Sequence, residues 1–282
     1  MKRSTRMEIA KQTMEIVERG IYTTVDNHQV DLTISIRGCR DGTRLFSPAE
    51  LEQLRSAVLT KPSEDLATSY EVVNETTLSG ITRMSAESTE SIAVLNFASA
   101  KNPGGGFLGG SQAQEESLAR SSALYASLLQ AWDFYEQHRS APSLLYSDAM
   151  ILSPGCPVFR DDEGNLLNRP QHAAFITSPA PNAGAAATNA PEEVHAIPEV
   201  FRRRSELVLA LAAFHGYKHL ILGAWGCGVF RNDPKVVAQS FADHLKGAWA
   251  GRFKRVLFSV LDASPERETF EVFRQTMNSV AP

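Results

Sequence analysis

Apolar residues fall along this chain in two rhythms, one at helical spacing and one in short near-continuous runs. Near the N-terminus, Met7, Ala10, Met14 and Val17 recur every three or four residues behind Ser4, which predicts an amphipathic helix. The β-prone runs 21–25 and 30–36, split by Asp26-Asn27-His28, predict a hairpin. Ser47, Pro48 and Glu50 spell a capping box, with Phe46 and Leu51 placed as a hydrophobic staple, so a helix is predicted over 48–59. From residue 70 onward, strand-length apolar runs at 71–73, 92–97, 149–152, 173–177, 220–224 and 256–261 alternate with helical patterns at 77–86, 114–137, 191–215, 234–249 and 265–277. Gly216 stops the third of these helices and Asp233 caps the fourth. Residues 158–167, centred on Asp161-Asp162-Glu163-Gly164, predict a surface hairpin, and 180–190 a loop of small residues. Strands this apolar, alternating with helices, imply a sheet covered on both faces. Ligands of such sheets bind beyond the strand ends, on loops that feed helix N-termini.

Composition narrows the classes. At 282 residues, 43% hydrophobic and 21% charged, the chain is an ordinary globular protein and not disordered, collagen-like or coiled-coil. Its 28 basic and 32 acidic residues give a net charge of −4, which argues against a sequence-specific nucleic-acid binder. The run Arg202-Arg203-Arg204 is the one basic cluster and reads as a solvated helix face. No apolar run approaches a membrane span, and the N-terminus has charges throughout and no signal-peptide core. Cys39, Cys156 and Cys227 are far apart and in no CxxC spacing, so reduced thiols in a cytoplasm are expected. The histidines show no metal spacing beyond His215 and His219, so no metal and no organic cofactor is expected.

Two loops carry the chemistry. The run 92–97 opens into ASAKNPGGGFLGGSQAQ, with Gly104, Gly105, Gly106, Gly109 and Gly110 in seven positions, and then a helix that starts with Glu115-Glu116. A strand, a glycine-rich loop and a helix N-terminus together make an anion site. The spacing is neither a Walker A motif nor the dinucleotide fingerprint. Two carboxylates suit acid–base work on a glycosidic bond, normally about 5 to 9 Å apart across it. Adjacent helical residues point about 100° apart, so at most one of the pair can face a scissile oxygen. The second loop, LGAWGCGVFRND, again follows a strand and precedes a capped helix. Two such loops after parallel strands predict a cleft that grips a diphosphate from both sides. Trp225 and Phe230 could stack on a sugar or base, although an aromatic beside a strand end, Trp225 above all, is more often core, and Cys227 has no histidine in the motif to activate it as a nucleophile.

With both loops in view, the chain resembles the poly(ADP-ribose) glycohydrolases of the compact bacterial type. The resemblance rests on Gly104-Gly105-Gly106 followed by Gln114-Glu115-Glu116, on the surrounding LNFASAKNPGGGFLGGSQAQEESLARSS, and on GAWGCGVFRNDP. It implies a three-layer α/β/α macrodomain with a mixed central sheet over 86–282, and residues 1–85 as an N-terminal helical and hairpin extension. It implies that Glu116 is the catalytic acid and base, with a raised pKa, and that Glu115 holds ribose hydroxyls. Asn96, Asn102, Gly104, Gly105, Gly106, Gln114, Gly226, Cys227, Gly228, Val229 and Phe230 are the implied substrate-binding residues. Asn96 departs from the larger animal-type members, which carry an acid at that strand end. The implied substrate is poly(ADP-ribose), cut from chain ends to ADP-ribose, with ADP-ribosylated proteins as its carriers and a place in the DNA damage response. The competing classes are a macrodomain that binds ADP-ribose without cleaving it and a hydrolase of mono-ADP-ribosyl groups. The Gln-Glu-Glu helix start speaks against the first.

Overall fold

The computed structural model describes residues 1–280. Helix α1 (Arg3–Arg19) buries Ala10, Thr13 and Ile16, a face rotated from the predicted one, and Lys2 rather than Ser4 stands at its N-cap. Strands β1 (Ile21–Thr23) and β2 (Gln29–Asp31) form the expected hairpin. The predicted second strand then stops short. Asp31 Oδ1 accepts the Thr33 backbone N–H at 2.8 Å and starts helix α2 (Thr33–Gly42) where the apolar run suggested β-structure. A short strand β3 (Arg44–Phe46) follows, with no signal of its own in the sequence.

Helix α3 (Pro48–Leu59) has the predicted capping box: Ser47 Oγ accepts the Glu50 N–H, and the Glu50 carboxylate accepts the Ser47 N–H at 2.8 Å. Ser47→Ala is expected to cost about 1 kcal/mol, read as a small drop in Tm with activity unchanged.

Strand β4 (Ser69–Val73), helix α4 (Thr77–Glu87) and strand β5 (Ile92–Phe97) come next. The single long helix predicted over 114–137 is instead α5 (Gln114–Ser121), α6 (Leu124–Leu128) and α7 (Trp132–Ser140). The first break is at Ser122, whose backbone is extended and bridges to Val158, so pairing with the sheet overrides local helix propensity. Strands β6 (Met150–Arg160) and β7 (Leu166–Ser178) are longer than the apolar runs, and the predicted surface hairpin is the tip of their ladder. The small-residue loop contains a short helix α8 (Ala183–Asn189), capped by Asn182. Helix α9 (Ile197–Phe214), strand β8 (His219–Leu222), helix α10 (Pro234–Lys246), strand β9 (Arg255–Ser259) and helix α11 (Glu268–Asn278) complete the chain.

The central sheet runs β3-β6-β7-β5-β8-β9-β4. Strands β7, β5, β8, β9 and β4 are parallel, and β3 and β6 pair antiparallel. Both edge strands come from the segment expected as an extension, so residues 44–46 and 69–73 are part of the sheet itself. Side chains alternate across it: Ala93, Leu95, Ile176, Leu222 and Phe258 pack under α3, α9, α10 and α11, whereas Ile92, Val94, Phe175, Ile221 and Leu257 pack with α2, α4 and the helices from α5 to α7. The result is the mixed three-layer α/β/α arrangement. No helix among the described residues is long and apolar enough to cross a membrane.

Candidate active site

Strands β5 and β8 are parallel neighbours, paired through Val94 and Ile221, so both glycine loops leave the same end of the sheet side by side. Gln114 ties the first loop shut. Its side-chain amide donates to Leu95 O at 2.8 Å and to Thr77 Oγ1, while its Oε1 accepts the Phe97 N–H at 2.9 Å. Helix α5 is thereby held against the end of β5, and the next two residues are the glutamates. Gln114 acts here as a structural stitch.

Glu115 points inward. It is 2% exposed, accepting from Asn96 Nδ2 at 3.1 Å and from the Ser99 N–H at 2.7 Å. Desolvation by burial pushes its carboxyl from 4.5 up to about 8, against the pull of those hydrogen bonds and with help from the charge of Glu116. Asn96 continues the Ile92–Val94 face of β5, is fully buried, and also donates to Thr177 Oγ1. Expected to touch substrate, it is buried beside Glu115, to which its amide donates. Asn102, by contrast, is exposed at the start of the loop.

Glu116 is half-buried and accepts the Gly106 N–H at 3.1 Å. Gly105 crosses above both carboxylates with φ +59°; a Cβ there would lie 2.4 Å from Glu116 Oε1 and 3.4 Å from Glu115 Oε2. The triplet therefore wraps the two glutamates, with Gly105 N–H turned to Asn102 O at 3.0 Å. The geometry bears on the adjacent-residue problem: one carboxyl goes under the loop and the other lies along it.

The proton on Glu115 links the site to stability. Below about pH 4.5 folded and unfolded chains both hold it; between there and about pH 8 the unfolded chain gives it up first, so stability falls as pH rises. Full ionisation costs on the order of 4–5 kcal/mol. Urea unfolding at pH 5 and pH 8.5 should show wild type losing stability relative to Glu115→Gln across that window. Parallel pH profiles would contradict this.

The second loop has a different character. Among the described residues, no acceptor in the chain takes the backbone N–H of Gly226, Gly228, Val229 or Phe230. Four N–H groups without an acceptor in the chain, beyond a strand end, are the donors an anion nest requires. Gly226 has φ +73°, and a Cβ would lie 2.5 Å from Ala180 Cβ and from Asn232 Nδ2. Asn232 is buried and fastens the loop by donating to Pro181 O at 2.8 Å and Gly226 O at 3.0 Å. Val229 stands at the tip, 78% exposed, and Phe230 is half-buried. Trp225 belongs to the core, packed on Phe201 and Phe241 with its indole N–H on Ser178 O. Burial first, and then Asp233, push the Cys227 thiol up to about 12, the reverse of an activated nucleophile. Among the described residues no three His, Cys, Asp or Glu side chains are grouped to hold a metal.

The model of the microbial-type PARG catalytic domain family matches residues 10–161. The solved structure of poly(ADP-ribose) glycohydrolase from Thermomonospora curvata superimposes with a TM-score of 0.93 at 45% identity, over 97% of this chain and 99% of that one. The chain belongs to the microbial poly(ADP-ribose) glycohydrolase family. The same Thermomonospora enzyme bound to the inhibitor ADP-HPD matches with a TM-score of 0.90 at 46% identity, covering 96% and 99% of the two chains. The Deinococcus radiodurans glycohydrolase in complex with ADP-ribose matches with a TM-score of 0.83 at 45% identity, covering 88% and 98%. No curated protein matches the sequence. Within this glycohydrolase frame, Ser99, Thr177 and Asn232 are residues that sequence reasoning missed. Each is a polar residue at a strand end or beside a helix cap, a weak signal that many structural residues share.

Proposed function

We propose that this chain hydrolyses the ribose–ribose glycosidic bonds of poly(ADP-ribose), with Glu116 as general acid and base. The observation that carries the proposal is the juxtaposition of one accessible carboxyl, Glu116, with an anion nest on the adjacent strand end. The nest, Gly226–Phe230, takes the diphosphate, with Phe230 against the distal end of ADP-ribose. The terminal ribose then lies between the nest and the glutamates. Glu116 donates a proton to the glycosidic oxygen as the C–O bond breaks and positive charge develops on the ribose. It then takes a proton from the water that attacks that carbon, which restores the acid. Glu115, neutral below about pH 8, orients ribose hydroxyls from beneath, with Asn96 and Ser99 fixing its carboxyl.

Cleavage proceeds from chain ends. A net charge of −4 does not favour binding along a polyanion, while a nest at one strand end suits a single diphosphate. The carriers are ADP-ribosylated proteins, and three free thiols fit a reducing cytoplasm. The test is the product length distribution from end-labelled polymer. Monomeric ADP-ribose with gradual shortening supports the proposal; early appearance of mid-length fragments overturns its directionality.

A further inference from the structure

Arg204 was expected on a solvated face, with Arg202 and Arg203. Arg202 is exposed and pairs with Glu199, but Arg204 is fully buried. Its guanidinium meets Asp148 Oδ1 at 2.8 Å and donates to Pro179 O at 2.7 Å, Leu145 O at 3.0 Å and Tyr146 O at 3.1 Å. Arg203 takes the other Asp148 oxygen. A buried ion pair is weak evidence for stability, because desolvation offsets its attraction. What this pair does is join two segments, 145–148 and 179, at the same end of the sheet as the second glycine loop. That loop is fastened to the second of these stretches: Trp225 Nε1 donates to Ser178 O, Asn232 Nδ2 to Pro181 O, and the Gly184 N–H to Phe230 O at 2.9 Å.

Tyr146 lies at the centre of this arrangement, with φ +59°, a conformation that is an outlier for a bulky residue. Such backbone persists only where the surroundings over-determine it. Here the turn sends the carbonyl to Arg204 while the ring packs 6.3 Å from the Phe230 ring and 5.8 Å from His138. His138 is itself fixed by Phe134 O and Ser147. The Phe230 ring thus rests against a side chain whose placement depends on a buried guanidinium outside the cleft.

We propose that Arg204, acting with Asp148, is a positioning residue for the far end of the cleft, holding the Tyr146 turn as a buttress for Phe230. This rests on the reading that Phe230 contacts bound ADP-ribose. Lysine at 204 keeps the charge but lacks the planar fork that reaches three carbonyls. Glycine at 146 adopts the turn without strain and removes the ring.

The test is calorimetric titration of ADP-ribose into wild type, Arg204→Lys, Tyr146→Gly and Tyr146→Phe, with Tm and steady-state kinetics on polymer. Tyr146→Gly should fold, with a Tm within a few degrees of wild type, and yet bind ADP-ribose roughly tenfold more weakly. Arg204→Lys should show the same loss of affinity, in KM with kcat little changed, and Tyr146→Phe should match wild type. If both Arg204→Lys and Tyr146→Gly fold and bind as wild type does, the positioning role is overturned. If Arg204→Lys does not fold, the affinity of Tyr146→Gly decides alone. A wild-type chain that binds no ADP-ribose overturns the reading of the cleft first, and this proposal with it.

Discussion

Glu116→Gln is expected to bind ADP-ribose within about threefold of wild type while hydrolysing polymer roughly 10²–10⁴-fold more slowly. Glutamine keeps the shape of the side chain and can still accept the Gly106 N–H. What it cannot do is pass a proton to the glycosidic oxygen or take one from water. The nest proposed for the diphosphate is on the next strand end and does not use this side chain, so affinity for product should survive. The loss belongs in kcat. A variant of Glu116 that hydrolyses at the wild-type rate would move the chemistry to Glu115, whose carboxyl is the one that burial raises to about 8.

Gly105→Ala is expected to lower hydrolysis by roughly 10²-fold in a chain that still folds. A methyl group there would lie 2.4 Å from Glu116 Oε1 and 2.9 Å from its carboxyl carbon, closer than real contacts allow. The backbone at φ +59° adds strain of about 1–3 kcal/mol for any residue with a Cβ. Either the Glu116 carboxyl swings away or the loop lifts off, and both misplace the acid. Alanine at Gly38, on α2 and in neither glycine loop, is the control. Its Cβ would meet no atom within 4 Å, so Gly38→Ala should leave activity within about threefold of wild type. Equal activity in wild type and Gly105→Ala, measured as initial rates on polymer, would mean that the loop is not fixed over Glu116 during the reaction.

The parts of this fold that were legible in the sequence are those where local signals agree with tertiary packing. Ser47-Pro48-Ala49-Glu50 is a complete helix start, and 92–97 is a buried strand because every residue but Asn96 is apolar. Long-range pairing was not legible. Nothing near Ser122 breaks a helix, and only its bridge to Val158, on a strand formed much later in the chain, does so. The ladder from β6 to β7 likewise extends past its apolar segments through polar residues such as Asn168 and Gln171, which only pairing makes into strand.

At the site, the glycines and glutamates were visible by type and spacing, but the direction of each side chain was not. Residues 202–204 illustrate why: three identical side chains on consecutive helical positions point three ways, and one of them must face the core. Asn96 is a similar case. A polar residue at a strand end reads as a ligand contact, and its burial and its bond to the neighbouring Glu115 were not legible.

The most direct measurement is release of free ADP-ribose from purified poly(ADP-ribose) by the wild-type protein, resolved by chromatography, with Glu116→Gln run in parallel. The wild-type chain should release monomeric ADP-ribose, and the variant should bind polymer and release almost none. Polymer bound by the wild type and recovered intact would contradict the account and make this chain a reader of ADP-ribose.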